Sequence, residues 1–308
     1  MRSFRFFILA FILITTSCRE IPVVTPEITN EVPTLRAVPS TATPFLPAQP
    51  TKTVSPTPTP TSTPTPVICR DEHGQVERLQ LISHYLPEPL HFRVYSPPCY
   101  DLQLESCYPV LYLIHGQTYS DNQWDQLGAD EAADLLITSE ESPPFLIIMP
   151  NESNTYADIY KSGFPEAVLE ELIPWVDQQY TTCDQRSDRA IGGLSRGGAW
   201  SIHMGFSHWH LFSAIGAHST PPFDGDLNRL PGWLNEIPPQ DLPRIYIDIG
   251  RGDPFYTDAL ALENILTRKN VLHEWQLNNG GHNERYWESH VIDYLRWYTK
   301  PWSINKSD

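Results

Sequence analysis

The sequence is poor in basic residues and lacks a long hydrophobic run. Lysine and arginine together number 21 against 37 aspartates and glutamates, which leaves a formal net charge of −16 on 308 residues. Phosphate backbones and anionic membrane surfaces repel a protein of this sign, so the charge argues against nucleic-acid binding. The longest unbroken apolar run, Phe6–Ile14, is too short to cross a bilayer as a helix.

The amino terminus has the pattern of an export signal. Arg2 and Arg5 precede the apolar run, which leads into the segment Ile14–Cys18. This segment resembles a bacterial lipobox, with Thr15 where leucine is usual, and it predicts a lipoprotein signal over residues 1–18 with lipidation at Cys18. The protein is then expected at the cell surface, touching the membrane only through that anchor. A plain cleaved signal and an uncleaved anchor are the alternatives.

Residues 19–66 have the composition of a linker. This stretch holds 12 of the 30 prolines and 15 serines or threonines, with almost no aromatic side chains. Such a segment cannot bury enough apolar surface to offset the entropy of ordering it, so we expect it to be disordered and extended. At about 3.1 Å per residue it would reach on the order of 150 Å. Residues 67–308 then form one domain.

Cysteine is scarce, and its few positions bear on the compartment. The chain has five cysteines, and four remain if Cys18 carries lipid. An even number in an oxidising compartment predicts two disulfides. Cys99 and Cys107 flank a short polar excursion between two strand-like runs, which favours pairing them and leaves Cys69 for Cys183. The spacing of these cysteines does not match a zinc site, so no metal is expected.

The domain alternates strand-like and helix-like segments. Several strands are continuously apolar, as is typical of a parallel sheet that helices cover on both faces, and the βαβ series predicts an α/β fold. Strands are predicted at His91–Tyr95, Val110–Ile114, Phe145–Met149, Arg189–Gly192, Phe212–Ala217, Arg244–Ile249 and His273–Leu277, and helices at Pro165–Tyr180, from Arg196, at Ala259–Arg268 and at Tyr286–Tyr298.

A nucleophile candidate lies between one of these strands and the next helix. Ser195 stands in the turn Gly193-Leu194-Ser195-Arg196-Gly197. A serine there must occupy a sharp, strained turn, and glycines two before and two after it avoid collisions between Cβ atoms and the backbone. The helix that follows directs unsatisfied N–H groups toward developing negative charge. The pattern therefore predicts a catalytic serine.

A catalytic serine needs a base to take its proton and an acid to orient that base. Where the serine stands on such a strand-to-helix turn, the acid and then the base follow it in the chain. Asp253 lies in the loop after the predicted strand that contains Asp248, at the sheet edge where reactive groups gather. Asp253 is the predicted acid, since Asp248 lies inside the strand and Asp258 opens the following helix. His282 follows Gly280 and Gly281 on the loop after the last strand and is the predicted base.

The other histidines receive different interpretations. His290 is the alternative base, although it lies in a predicted helix beyond the loop. His203, His208 and His210 lie on or just after the nucleophile helix, and their offsets match no metal-ligand motif. We expect these three to be surface or packing residues.

Two backbone N–H groups are expected to bind the oxyanion of a tetrahedral intermediate. One belongs to Arg196, the residue after the nucleophile, and the other to Gln117, in the loop after an early strand. Gly116 permits close approach in that loop. Near it, His115 and Trp124 are candidates for the substrate pocket, with structural hydrogen bonding and core packing as their respective alternatives.

In these segments the sequence resembles the putative esterase family of α/β hydrolases. This family includes enterochelin esterase-like, feruloyl esterase-like, acetylxylan esterase-like and S-formylglutathione hydrolase-like enzymes and the mycolyltransferases. The resemblance covers roughly residues 90–302. Its blocks occur in order at Leu111–Gly116 with Trp124, Glu171–Val176, Arg189–Gly198, Phe212–Ser219, Asp248–Asp253 and Gly280–His282.

The resemblance implies the α/β-hydrolase fold. The sequence departs from the family's pattern at two positions. Arg196 stands where the family often has Met or Ala, and Gln117 stands where a second Gly commonly follows His-Gly. Only 24 residues separate Ser219 from Arg244, too few for a large cap domain.

The expected activity is hydrolysis of a carboxylic ester through an acyl-enzyme, without metal or cofactor. The substrate is expected to be a small molecule or an ester borne on a polymer or other bulky group, such as an acylated sugar. An acyltransferase and a non-catalytic surface-anchored binding module are the alternatives, and a peptidase is less favoured because the blocks match esterases.

Overall fold

The computed structural model describes Cys69, residues 71–100 and residues 107–304. The predicted signal over residues 1–18, its Cys18 and the predicted linker over residues 19–66 lie outside the described residues. Among the described residues, no helix is both long and apolar enough to span a membrane.

One mixed sheet forms the centre of the domain. Its described strands, which we number β1 to β8 in chain order, lie in the spatial order β1-β2-β4-β3-β5-β6-β7-β8. β1 pairs antiparallel with β2, and β2 with β4, whereas all the other pairs are parallel. The strands are Gln75–Leu81, Leu90–Ser96, Val110–Ile114, Leu146–Pro150, Arg189–Leu194, Ala214–His218, Arg244–Gly250 and Glu274–Asn278.

Helices cover both faces of the sheet. The described α-helices α1 to α9 are Gln123–Gln126, Ala129–Thr138, Phe164–Glu166, Ile173–Gln179, Arg196–Ser207, Asp224–Glu236, Tyr256–Arg268, Glu284–Glu288 and Val291–Ile304, and a π-helical stretch, Ala167–Leu172, joins α3 to α4. Side chains of α3 to α7 enter one hydrophobic cluster, and side chains of α1, α2, α8 and α9 enter another. The predicted α/β-hydrolase fold is confirmed.

The continuous apolar strands follow from this two-sided burial. In β3, Tyr112 and Ile114 belong to the first cluster, whereas Leu111 and Leu113 belong to the second. Because successive side chains of a strand point to opposite faces, a strand covered on both faces must be apolar at every position. Burial on both faces is therefore why β3 reads as an unbroken hydrophobic run.

Some element predictions differ from the structure. The sequence does not predict β1, because this edge strand has an exposed face and carries no apolar run. Phe212 and Ser213 precede β6 rather than begin it. The predicted helix Tyr286–Tyr298 is two helices, since α8 ends at Glu288 and α9 begins at Val291.

The predicted disulfide pairing is wrong. The structure joins Cys69 to Cys99, with Cα atoms 5.6 Å apart, and Cys107 to Cys183, with Cα atoms 4.8 Å apart. β1 and β2 are antiparallel and Gln75 pairs with Ser96, so the residues before β1 lie beside those after β2. Strand register thus brings Cys69 to Cys99.

The second disulfide follows from pairing ahead of β3 and β5. The N–H of Tyr108 donates to the carbonyl of Thr181, and the N–H of Cys183 donates to the carbonyl of Tyr108, both over 2.8 Å. This isolated parallel bridge between Tyr108 and Thr182 lies ahead of the amino ends of both strands and brings Cys107 to Cys183. Two disulfides are consistent with export to an oxidising compartment.

The connection between β6 and β7 is short. It contains α6 and a 3₁₀ turn, Pro239–Asp241, and α6 packs through Leu230 and Leu234 into the first hydrophobic cluster. This connection agrees with the expectation that the domain has no large cap.

Candidate active site

Ser195 occupies a strained turn between β5 and α5. Its backbone has φ of 53° and ψ of −121°, a left-handed conformation that is uncommon for a residue with a side chain. A Cβ on Gly193 would lie 2.3 Å from the backbone of Gly197, and one on Gly197 would lie 2.0 Å from the carbonyl oxygen of Ile114. The two glycines are therefore required for β5, α5 and the end of β3 to meet at this turn.

A hydrogen-bond chain joins the three residues predicted as nucleophile, base and acid. Ser195 Oγ lies 2.9 Å from His282 Nε2, and His282 Nδ1 lies 2.9 Å from Asp253 Oδ2. Since a carboxylate only accepts, Nδ1–H donates to Asp253 and leaves Nε2 to accept from the serine hydroxyl. The structure brings these three side chains together from three separate loops.

The supporting loops fix the acid and the histidine. Asp253 is 4% exposed, and its Oδ1 accepts the N–H of Phe255 over 2.8 Å. The N–H of Gly252 donates to the carbonyl of Gly280 over 2.8 Å, which ties the loop after β7 to the loop after β8. Phe255 also packs against the ring of His282.

Trp287 and Phe255 hold the imidazole between them. Their rings lie 5.0 Å and 4.9 Å from the ring of His282 and meet it edge to face. The His282 side chain remains 19% exposed, so it is oriented by packing yet reachable by solvent. Neither aromatic residue is among those that the sequence predicts for the site, because neither belongs to a motif of its own.

The alternative acids and base lie elsewhere. Asp248 is fully buried and accepts hydrogen bonds from His218, Tyr286 and Tyr294. Asp258 lies in the first turn of α7, as its position predicts. His290 Nδ1 donates to the carbonyl of Tyr286 over 2.7 Å, between α8 and α9.

The histidines of the α5 region lie in other surroundings. His203 Nδ1 lies 2.9 Å from Asp226, and its ring packs against Trp200 and Trp233. His208 is half-buried, and burial lowers its pKa. Among the described residues, no group of three or more His, Cys, Asp or Glu side chains has the arrangement of a metal site.

The loop after β3 lies beside the nucleophile. A Cβ on Gly116 would lie 3.6 Å from the Cβ of Ser195, and the N–H of Gly116 donates to Gln123 Oε1 over 2.7 Å. Gln117 is the next residue along this loop and is exposed. Arg196 is the first residue of α5, where backbone N–H groups have no partner within the helix. Arg196 thus adjoins Ser195 in the chain, and Gln117 follows a glycine that lies beside Ser195 in space.

His115 and Trp124 are both buried side chains. His115 is 2% exposed, its Nδ1–H donates to the carbonyl of Gly116, and its Nε2 accepts the N–H of Glu152. Burial lowers the pKa of His115 and so favours this neutral ring. Trp124 is 1% exposed and donates to the carbonyl of Ile114. Their prediction as substrate-binding residues is replaced by structural hydrogen bonding and core packing.

The side chain of Arg196 is held by a residue that the sequence patterns do not single out. Glu152, just beyond β4, accepts Arg196 Nε over 2.7 Å and Arg196 Nη2 over 2.6 Å. Its place directly after a predicted strand, at the edge where the site lies, is the signal that could have found it. Arg196 also lies over the rings of Trp200 and Phe223.

Fold and site together define an α/β hydrolase with a serine on a strained turn. The sequence also matches the model of the family described as "Putative esterase" over residues 83–298. The chain therefore belongs to this esterase family, as its resemblance predicted. Family membership places it among the serine carboxylic ester hydrolases.

Curated relatives carry esterase names. The chain is 29% identical over 136 residues to an endo-1,4-beta-xylanase/feruloyl esterase of Xylanibacter ruminicola, a match that covers 41% of this chain and 19% of that protein. It is 24% identical over 226 residues to an acetyl esterase of Caldicellulosiruptor saccharolyticus, covering 62% of this chain and 83% of that protein. The match thus spans about a fifth of the first relative and most of the second.

Solved structures show the same fold. A ferulic acid esterase superimposes with a TM-score of 0.68 at 24% identity, over 74% of this chain and 99% of that one. An S-formylglutathione hydrolase from Staphylococcus aureus superimposes with a TM-score of 0.59 at 19% identity, again over 74% and 99%. At these identities the likeness establishes the fold.

Proposed function

We propose that this protein hydrolyses carboxylic esters through an acyl-enzyme formed on Ser195. The observation that carries the proposal is the unbroken hydrogen-bond chain from Ser195 Oγ through His282 to Asp253, with both contacts at 2.9 Å. A serine hydroxyl is a weak nucleophile until a base takes its proton, and the base needs an acid to orient it. The two contacts give Ser195 a base in His282 and give His282 an orienting acid in Asp253.

In the acylation half, Ser195 Oγ attacks the ester carbonyl while His282 Nε2 takes its proton. The carbonyl oxygen becomes an oxyanion, which accepts from the N–H groups of Gln117 and Arg196. As the tetrahedral intermediate collapses, the bond to the leaving oxygen breaks and His282 returns the proton to that oxygen. The alcohol departs, and the acyl group stays on Ser195.

Deacylation repeats these steps with water. Water attacks the acyl carbonyl while His282 takes one of its protons, and the oxyanion accepts from the same two N–H groups. Collapse breaks the bond to Ser195 Oγ, which regains the proton from His282. Throughout, Asp253 stays ionised and stabilises the imidazolium that forms.

We further propose that the substrate ester hangs from a sugar polymer or a comparably bulky group. The connection between β6 and β7 adds only α6 and a short turn, which supports an open site. The names of the relatives, feruloyl esterase and acetyl esterase, support acetyl and feruloyl groups as the acyl part.

For export, we propose that Cys18 carries the lipid anchor and that residues 19–66 act as the spacer. Replacing Cys18 with Ser is expected to move the protein from the membrane fraction to the soluble fraction and to abolish labelling by a fatty acid. Unchanged fractionation and labelling would contradict the anchor.

The activity is tested by a screen of the purified protein against p-nitrophenyl acetate, methyl ferulate, acetylated xylan, a thioester and a siderophore ester. We expect hydrolysis of one or more oxygen esters and its loss in Ser195→Ala. Adding an alcohol acceptor separates hydrolysis from acyl transfer, because a transferase would form a new ester in preference to the free acid. Turnover that persists in Ser195→Ala would refute the proposal.

A further inference from the structure

The buried carboxylate of Glu152 joins segments on two sides of Ser195. Its side chain is 2% exposed, and it accepts two hydrogen bonds from Arg196 and one from Trp200 Nε1 over 2.8 Å. The Arg196 side chain is itself only 12% exposed. A bidentate pair of guanidinium and carboxylate fixes both the distance and the plane of its partners. The side chain of Glu152 therefore anchors the first turn of α5.

The backbone of Glu152 anchors the other side. Its N–H donates to His115 Nε2 over 2.9 Å, and His115 Nδ1–H donates to the carbonyl of Gly116 over 2.7 Å. Gly116 precedes Gln117 in the loop after β3. A single residue thus holds, through its side chain, the segment that carries the N–H of Arg196 and, through its backbone, the loop that carries the N–H of Gln117.

We propose that Glu152 is a positioning residue for the oxyanion site, acting through Arg196 and His115. We name the four residues Glu152, Arg196, Trp200 and His115 the Glu152 clamp. The proposal rests on the proposed function, because it assigns the clamp to the two oxyanion donors of that reaction. It also assigns the side chain of Arg196 to the clamp rather than to the substrate.

Position matters here because an oxyanion donor acts only within a narrow distance of the developing charge. Constellations of this kind must hold their geometry to about 0.5 Å, and a lost donor lowers kcat by about 10² to 10³. Ionised Arg196 and ionised Glu152 also cancel in charge. The clamp therefore fixes geometry without adding a net charge beside the oxyanion.

The test compares Arg196→Met, Glu152→Gln and their double variant with the unmodified protein, using p-nitrophenyl acetate. Each single variant is expected to lower kcat about 10- to 100-fold with KM changed less than about threefold, because the donors contact the transition state more than the substrate. The double variant should be no worse than the poorer single one, since both break the same clamp. Arg196→Lys, which keeps the charge but loses the bidentate geometry, should recover part of kcat.

A second measurement separates positioning from loss of stability. Inhibition by a trifluoromethyl ketone, whose serine adduct carries an oxyanion, should weaken by about the factor that kcat falls. The matched control is Arg189→Met, which breaks another mostly buried ion pair, Arg189 with Asp177 at 2.8 Å, at the opposite end of β5. Arg189→Met should lower the melting temperature yet leave the kcat of the folded protein within about twofold.

Three results are decisive. If Arg196→Met and Glu152→Gln keep kcat within about twofold while Ser195→Ala is inactive, the clamp proposal is overturned and the proposed function stands. If the two single effects multiply in the double variant, the residues act independently and the clamp is also overturned. If Ser195→Ala is fully active, the proposed function fails. Should Glu152→Gln not fold, Arg196→Met and Arg196→Lys carry the test.

Discussion

Two histidine–aspartate pairs lie at the carboxyl edge of the same sheet, and only one of them is open. His282 and Asp253 are joined over 2.9 Å, and His218 and Asp248 over 2.7 Å. The His282 side chain is 19% exposed, whereas both members of the second pair are fully buried. The contact within each pair is thus nearly the same, and their surroundings differ.

The second ring nitrogen makes the difference. His282 Nε2 meets Ser195 Oγ, the atom that the proposed reaction joins to the substrate's carbonyl carbon. His218 Nε2 instead meets the hydroxyl of Tyr298 over 3.0 Å, and its ring stacks on Tyr294 at 3.7 Å. We name His218, Asp248 and their tyrosine partners Tyr286, Tyr294 and Tyr298 the buried pair network. Its donors and acceptors are occupied within the core.

Each pair also has a serine nearby with a positive φ. Ser219 directly follows His218 and has φ of 48°, close to the 53° of Ser195. Ser219 is fully buried, however, and its Oγ has no hydrogen-bond partner among the described residues. A serine, a histidine and an aspartate near one another therefore do not define a site. What defines it is a continuous hydrogen-bond chain that ends where a substrate can reach.

The largest difference in effect is expected between substitutions of the two histidines. His282→Ala should lower kcat/KM on the order of 10⁴-fold or more, because Ser195 loses its base, with little change in stability. His218→Ala should instead destabilise the fold by about 3–5 kcal/mol, because it breaks a fully buried pair and leaves the Asp248 carboxylate with one donor fewer. Ester hydrolysis and urea unfolding of both variants check this. If both variants lost the same activity per folded molecule, the distinction between the catalytic pair and the buried pair would be wrong.

The two aspartates should show the same contrast, with one substitution lowering activity and the other lowering stability. The loss of activity is expected to be smaller than for His282→Ala. Asp253→Asn is expected to lower kcat on the order of 10³- to 10⁴-fold by favouring the wrong tautomer of His282. Asp248→Asn should mainly lower the free energy of unfolding, by about 3 kcal/mol or more. Asp258→Asn, at the first turn of α7, is the control and should leave kcat within about twofold. A stable, inactive Asp248→Asn protein would show that the buried pair network acts in catalysis.

The smallest effect concerns pH and the tyrosines of the buried pair network. Burial, and after it the charge of Asp248, raises the pKa of Tyr294 well above its ordinary value. The folded protein then keeps a proton that the unfolded chain loses above about pH 10, so stability is full below that pH and falls as the pH rises.

This fall provides the measurement. From about pH 8 to pH 10.5, urea unfolding should show a decline to which Tyr294 contributes about 1 kcal/mol. In Tyr294→Phe the decline should be smaller by that amount, although the variant starts from a lower stability because Asp248 loses a donor. A decline of equal size in both proteins would mean that Tyr294 does not keep its proton.

The sequence predicts the nucleophile turn and the parallel strands because both depend on local patterns. The turn needs Gly193 and Gly197 at fixed offsets from Ser195, and the buried strands need unbroken apolar runs. Asp253 and His282 follow from their places after the strands that became β7 and β8. For these residues, short stretches of chain carry the signal.

The remaining features depend on register and packing, which no short stretch contains. Cys69 meets Cys99 because of how β1 pairs with β2, and β1 itself has too exposed a face to be read as a strand. The sequence favours neither a pocket position nor a core position for Trp124, because the choice depends on how α1 packs against the sheet. Glu152 gains its role only when β4 brings it to Arg196.

Trapping the acyl-enzyme tests the central claim most directly. The protein is mixed with a p-nitrophenyl ester, quenched in acid within milliseconds to seconds, digested and analysed by mass spectrometry. We predict a burst of up to one p-nitrophenol per protein molecule, with the acyl mass on the peptide that contains Ser195 and nowhere else. Acyl mass on the peptide that contains Ser219, or turnover without any acylated serine, would contradict the account.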